Sequence, residues 1–396
     1  MILRLLSDSR EKRVKLLQAI EERRGSKVLV YFCADRPMAG SQVANDAVLP
    51  LYEHLSAIAP SPKIKIIDLY LYSIGGRVEV PWRIVTMLRE FCKKLVMLIP
   101  YKAYSAATLI AMGSDEIVMG RKSELSPVDP SLMMVPGGQP PRQQPTRLGV
   151  EDVFSYLTFI KEAGLTDQSA LTQSTCILAE KLTPQVLGSL QRARTHVRLV
   201  GRKLLSLCQP PLEERRIETI VQALTEKIYA HGHGIGRVEA EEIGLPIKRP
   251  DDDLESLIWN LYSSYENEFK LRESREPEGY FLSDAEDEHS EDGWEVACVE
   301  STEKLHVFEG RLKMKRIRRP IQTANISINL PIQLPPTITP QTLPQNFQQI
   351  LQQVLQQFTK KAVNQIRTEV MRQLAAQAPI IGGETKLIGG KWIDRT

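Results

Sequence analysis

Ile64-Lys-Ile-Ile-Asp-Leu-Tyr-Leu-Tyr-Ser-Ile-Gly-Gly76 is the stretch whose reading decides the fold. It is an apolar run that stops on a Gly-Gly turn. A second run, Leu95-Val-Met-Leu-Ile-Pro100, follows the helical segment Arg83 to Phe91 and leads through Tyr101-Lys-Ala-Tyr104 into Ser105-Ala-Ala-Thr-Leu-Ile-Ala-Met112. Near-continuous apolar runs, each followed by a helix, read as buried parallel strands. Two such units side by side put the Gly-Gly turn and Ser105 at the carboxyl ends of neighbouring strands, where open α/β sheets hold their chemistry.

Ser105 stands where a strand stops and a small-residue helix begins, with alanines at 103, 106 and 107. Small neighbours allow a sharp turn and leave the hydroxyl uncovered. The amide of Ala106 then lies at a helix N-terminus, which favours developing negative charge. Gly75 and Gly76 carry no side chain to block approach, so one of their amides can serve as a second oxyanion donor. The competing reading is that Ser105 simply caps its helix.

Four segments carry a resemblance: Leu71-Tyr-Ser-Ile-Gly-Gly76, Ala103-Tyr-Ser-Ala-Ala-Thr108, Ser114-Asp-Glu-Ile-Val-Met119 and Leu125-Ser-Pro-Val-Asp-Pro130. In order and spacing they resemble the core of the Clp/crotonase superfamily, and within it the serine dehydrogenase proteinase family, relatives of signal peptide peptidase A. Ala230-His-Gly-His-Gly-Ile-Gly-Arg-Val-Glu-Ala240, Ile243-Gly-Leu-Pro-Ile247 and Trp259-Asn-Leu-Tyr262 also fit. The resemblance implies an α/β fold with a Clp/crotonase-like repeated ββα core. It also implies serine hydrolase chemistry on peptide or protein substrates.

The base is open at this point. A Clp-type histidine is absent near Asp129, and the signal peptide peptidase branch implies a lysine some fifty residues after the serine. Lys161, on the helix expected from Glu151 to Glu162, has that separation. Its apolar neighbours Leu157, Phe159 and Ile160 suggest a desolvated amine. His231, in the glycine-rich turn His231-Gly-His-Gly-Ile-Gly236, competes with it, as does His233; otherwise these rings cap the preceding helix. Lys102 reads as a surface residue. The His-x-His pair lacks further ligands, so no metal is expected, and no cofactor is implied. Acyl-CoA chemistry would need a nucleotide pocket for which the sequence has no marker.

The chain has 396 residues, 42% hydrophobic and 25% charged, with a net charge of +3 that gives no reason to expect nucleic acid. Five scattered cysteines without a CxxC pair suggest a reducing, cytoplasmic setting. No run reaches the ~18 apolar residues of a membrane span. The peptidase-type domain with its helical extension is expected over 1–270, beginning with an amphipathic helix at 7–24. The Pro/Gly/Gln-rich stretch between Asp129 and Val150 reads as a lid or peptide groove.

An acidic linker is expected over 271–293, a small β-rich segment over 294–319 and a Pro/Thr/Gln-rich linker over 320–344. Over 345–378 apolar residues from Phe347 to Leu374 recur at three and four on a glutamine background, which reads as a long association helix and a homo-oligomer. Residues 379–396 read as a frayed tail. Two functions compete: peptide-bond hydrolysis, or an inactive scaffold of the same fold that oligomerises and binds a protein partner.

Overall fold

The computed structural model describes residues 2–37, 39–59, 63–134, 146–227, 232–273, 281, 286–319 and 344–396. In chain order the elements begin α1 (Ile2–Arg24), β1 (Lys27–Cys33), α2 (Val48–Ile58), β2 (Ile64–Tyr72), α3 (Val80–Phe91), β3 (Cys92–Ile99), β4 (Lys102–Ala103), α4 (Ala106–Met112), β5 (Glu116–Met119) and β6 (Glu124–Leu125). They continue β7 (Ser131–Met134), β8 (Thr146–Gly149), α5 (Val150–Glu162), α6 (Gln168–Lys181), α7 (Pro184–Leu205), α8 (Glu214–Gln222), β9 (Ile235–Gly236), α9 (Arg237–Ile243), β10 (Ile247–Lys248) and α10 (Asp252–Glu268). Last come β11 (Glu288–Glu300), β12 (Leu305–Arg318), α11 (Gln345–Gln377) and β13 (Ile380–Asp394).

The chain divides into a unit of residues 1–273, 293–310 and 389–396 and another of 274–292 and 311–388. In the first, β10, β5, β3, β2 and β1 lie parallel in that order, and β11 runs antiparallel to β1 with Val30 opposite Glu300. The two-residue alternation of a strand explains why its apolar runs are nearly continuous. Leu29, Tyr31, Leu69, Leu71, Met97 and Ile99 pack on one face with α2, α3, α4, α7 and α8. Val30, Phe32, Tyr70, Tyr72, Val96 and Leu98 pack on the other with α1 and α10. Phe32 stacks on Tyr72 and Tyr265 there, with ring centroids 4.4 and 4.9 Å apart. Asp68 is the acidic exception within β2, fully buried and held by Arg24 and by the Ser26 hydroxyl at 2.6 Å.

Local signals account for several ends. Thr183 caps α7 through the Val186 amide and Pro184 takes the first helical position, as its sequence implies. Helix α8 runs into a π-type turn over Ala223–Lys227. Residues 380–394, expected as a frayed tail, form β13. In the second unit α11 spans 33 residues, none of them buried.

His54 on α2 is fully buried in a chain of hydrogen bonds within the first unit. Its Nδ1 lies 2.8 Å from Ser301 Oγ and its Nε2 3.0 Å from Nδ1 of His306, whose Nε2 lies 3.0 Å from Glu53 Oε2. Ser301 Oγ accepts the Lys304 N–H at 3.2 Å, which leaves its own proton for His54. His54 then donates to His306 and His306 to Glu53, with the His54 ring neutral. Burial, reinforced by His306 and Lys304, pushes His54 down to about 3 from the usual 6.5. The unfolded chain therefore takes up this proton first as the pH falls. Its contribution is complete above pH 6.5 and is lost towards pH 3, at ~1.4 kcal/mol per pH unit. Urea melts should show wild type weakening from pH 7 to pH 4.5, whereas His54→Gln should be weaker at pH 7 but change less. Parallel slopes for the two proteins would remove His54 as the cause.

Candidate active site

The end of β2 is laced to the segment before Ser105. Ser73 donates its N–H to the Lys102 carbonyl at 3.0 Å, and Tyr104 donates to the Ser73 carbonyl at 2.9 Å. The chain after Ser73 turns through Gly75 at φ +111° and Gly76 at φ +153°. Both glycines are needed for space. A Cβ on Gly75 would come within 2.7 Å of the Ser105 Cβ, and one on Gly76 within 2.2 Å of the Val43 carbonyl oxygen. The glycine turn is thereby brought against the serine.

Ser105 has φ +51° and ψ −114°, a conformation that L-residues seldom adopt. It is half-buried, and its hydroxyl makes no capping bond to α4, so the simple helix-cap role is not what the fold uses it for. Its N–H donates to Ser126 Oγ at 2.9 Å, and Ser126 Oγ donates to the Pro127 carbonyl at 3.0 Å. Thr108 Oγ1 ties the same strap down by donating to the carbonyls of Ala103 and Ser126 at 2.7 and 2.9 Å. Every residue of α4 is buried, which fixes the helix under the serine.

The three amides expected as oxyanion donors differ in what they already hold. The Gly75 N–H donates to Ser73 Oγ at 3.1 Å and is committed to the turn. Among the described residues no acceptor takes the N–H of Gly76 or of Ala106. Gly75 therefore supplies the close approach, while Gly76 and Ala106 are the uncommitted amides.

The expected bases fare differently. Lys161 is exposed: Ile160 turns into the protein, and the next residue, some 100° further round α5, faces water. Phe159 is exposed as well, so the apolar neighbours of Lys161 do not bury it. His231 lies outside the described residues, as does the 135–145 part of the expected lid, whose flanks pair as β7 and β8. His233 is exposed and sits 3.0 Å from Glu239. The turn after His231 returns to the site, since Ile235 and Gly236 pair with Leu125 and Glu124. Lys102 is paired rather than free, its Nζ 2.8 Å from Asp35, which also accepts the Tyr72 hydroxyl.

Two partners were not legible in the spacing. Ser126 accepts the backbone N–H of Ser105, and the hydroxyl of Tyr104, the residue before it, donates to Glu124. Burial, then the Glu124 carboxylate, holds the Tyr104 hydroxyl well above the ordinary tyrosine range. Both contacts join residues about twenty positions apart through β6. A seryl hydroxyl in a Ser-Pro turn gives no local sign of them.

A parallel sheet with a glycine turn and a strained serine at its carboxyl edge places this chain among α/β proteins whose candidate chemistry lies at that edge. Within that class, residues 5–140 match the family of ClpP-like SDH-type serine proteinases. Uncharacterized protein MJ0137 of Methanocaldococcus jannaschii is 25% identical over 263 residues, covering 66% of this chain and 80% of that protein. Uncharacterized protein MJ1495 of the same organism is 29% identical over 134 residues, 32% of this chain and 44% of that protein. Among solved structures, the 1510-N membrane-bound stomatin-specific protease shares 14% identity, with a TM-score of 0.34 over 55% of this chain and 79% of that one. An enoyl-CoA isomerase of M. smegmatis shares 15%, with a TM-score of 0.26 over 64% and 83%. No helix among the described residues is long and apolar enough to cross a membrane.

Proposed function

We propose that the chain hydrolyses peptide bonds with Ser105 as nucleophile, as an assembly of identical subunits in a reducing, cytoplasmic compartment. The Ser105 hydroxyl attacks the scissile carbonyl and gives its proton to a base. The carbonyl oxygen becomes an oxyanion that the Gly76 and Ala106 amides receive. Collapse expels the amine with that proton and leaves an acyl ester on Ser105. Water, deprotonated by the same base, then releases the acid.

One observation carries this reading: a hydroxyl held on a strained backbone with no capping bond to account for the strain. In favour of His231 as base, the described chain that follows it reaches β6 at Ile235 and Gly236, next to the Tyr104–Glu124 contact. Lys161 serves only if bound substrate or a neighbouring subunit covers it, because it stands exposed on α5. The five free cysteines fit the compartment.

A fluorophosphonate probe tests the nucleophile. Wild type should take up one label on the peptide containing Ser105, and Ser105→Ala none. A folded wild type that stays unlabelled would favour the inactive scaffold. In the same assay His231→Ala should slow labelling at least tenfold and Lys161→Ala should not; the reverse outcome assigns the lysine.

A further inference from the structure

Arg10, Val14 and Gln18 recur every four residues on α1 and so share one line along the helix. Between that line, the last turn of α10 and the strands β11 and β12 lies an open cleft of about 580 Å³, within the range of small-molecule sites. Every residue lining it belongs to the first unit, and none belongs to the Ser105 site. Its floor is apolar, built from the buried side chains of Phe269, Cys298, Leu305 and Val307.

The rim is charged, and most of its charges are spent on one another. Arg13 holds Glu300 at 2.7 Å and Glu268 at 3.1 Å. Arg395 holds Glu309 at 2.7 Å and stands 3.7 Å from Glu295. Arg10, Glu11 and Lys15 are left over. Among the described residues none of these three side chains has a hydrogen-bond or ion-pair partner. Glu11 and Lys15 are exposed, but Arg10 is half-buried, and its Nε is closed off from solvent with no acceptor. A buried donor in that state costs stability, and folding alone gives no reason to keep it. Two cations against one carboxylate also leave the rim with a surplus positive charge.

We propose that this cleft binds a monocarboxylate with an apolar body, its carboxylate on Arg10 and its tail on the floor of Phe269, Leu305 and Val307. A guanidinium fork matches both oxygens of a carboxylate at once. A monoanion cancels the surplus charge, whereas a cation would meet Arg10 and Lys15 with only the solvated Glu11 to hold it. A small polar anion would leave the apolar floor unused.

Decanoate is the probe, titrated calorimetrically into the full chain, with decanol and decyltrimethylammonium as controls that carry the same tail. Wild type should take up one decanoate per chain, its melting temperature rising as the site fills, and should take up neither control at the same concentrations. Arg10→Gln should weaken decanoate about tenfold or more, the loss expected of a charged hydrogen bond. Without ligand it should melt with wild type, since Arg10 has no bond to lose and glutamine is as good a helix former. Val14→Trp, which fills the cleft, should abolish uptake. Binding needs no hydrolysis, so these outcomes stand whatever Ser105 does. Equal uptake of either control reduces the cleft to an apolar surface and overturns the carboxylate site. So does an Arg10→Gln chain that binds decanoate undiminished, or one that melts lower without ligand, because Arg10 is then held by the fold. Uptake retained in Val14→Trp places decanoate elsewhere and overturns the site, as does a wild type that takes up none.

Discussion

Ser105→Ala is expected to lower peptide hydrolysis about a thousandfold or more while the fold survives. The hydroxyl makes no capping bond, and α4 and Thr108 hold the surrounding turn through bonds that do not involve it. Its removal leaves no buried polar group unpaired, so stability has little to lose. The backbone at Ser105 makes a sharper claim. A non-glycine residue held at φ +51° and ψ −114° costs on the order of 1–3 kcal/mol, and alanine inherits that cost whereas glycine escapes it. Glycine normally lies roughly 0.5–1 kcal/mol below alanine through its greater freedom in the unfolded chain. Here the order should level or invert, with Ser105→Gly at least as stable as Ser105→Ala in urea melts and equally inactive. Hydrolysis near the wild-type rate in Ser105→Ala would end the nucleophile assignment. A glycine variant less stable by the usual margin would show that the turn stores no strain.

The parts of this site that sequence disclosed are those with strong local causes. β2 and β3 are legible because a strand buried on both faces must be apolar almost throughout, and Gly75 because a left-handed turn beside a serine admits little else. Lys161 looked desolvated because Phe159 and Ile160 are apolar, yet only Ile160 faces inward; helix rotation, not neighbourhood in the chain, decides burial. The Gly75 amide seemed available until the hydroxyl two residues earlier was seen to use it. β13 was hidden by Gly382, Gly383, Gly389 and Gly390, which weaken any local strand signal, while its pairing is long-range. His54 gives no hint of Ser301 and His306, some 250 positions away.

Glu300→Ala is expected to destabilise the chain by roughly 3–5 kcal/mol, the usual cost of removing one partner from a buried ion pair. Glu300 is completely buried on β11, and its Oε2 accepts from Arg13 Nε and from the Tyr265 hydroxyl, each at 2.7 Å. Arg13 is almost as deep, bonded also to Glu268 at 3.1 Å, with its guanidinium over the Tyr265 ring at 5.1 Å. Burial alone would lower the Arg13 pKa, but the charge of Glu300 more than offsets it and the guanidinium is held above its ordinary value. With Glu300 gone, that cation keeps its desolvation and loses its main compensation, and the Tyr265 hydroxyl loses its acceptor. Changing both partners separates the causes. Arg13→Met with Glu300→Leu removes the stranded charge and should recover much of the loss, but not all, since Tyr265 remains unpaired at about 1–3 kcal/mol. Adding Tyr265→Phe should recover most of the rest. If the double variant melts no higher in urea than Glu300→Ala, the penalty lies in the packing of β11 against α1 and α10, and the buried pair is not what joins them.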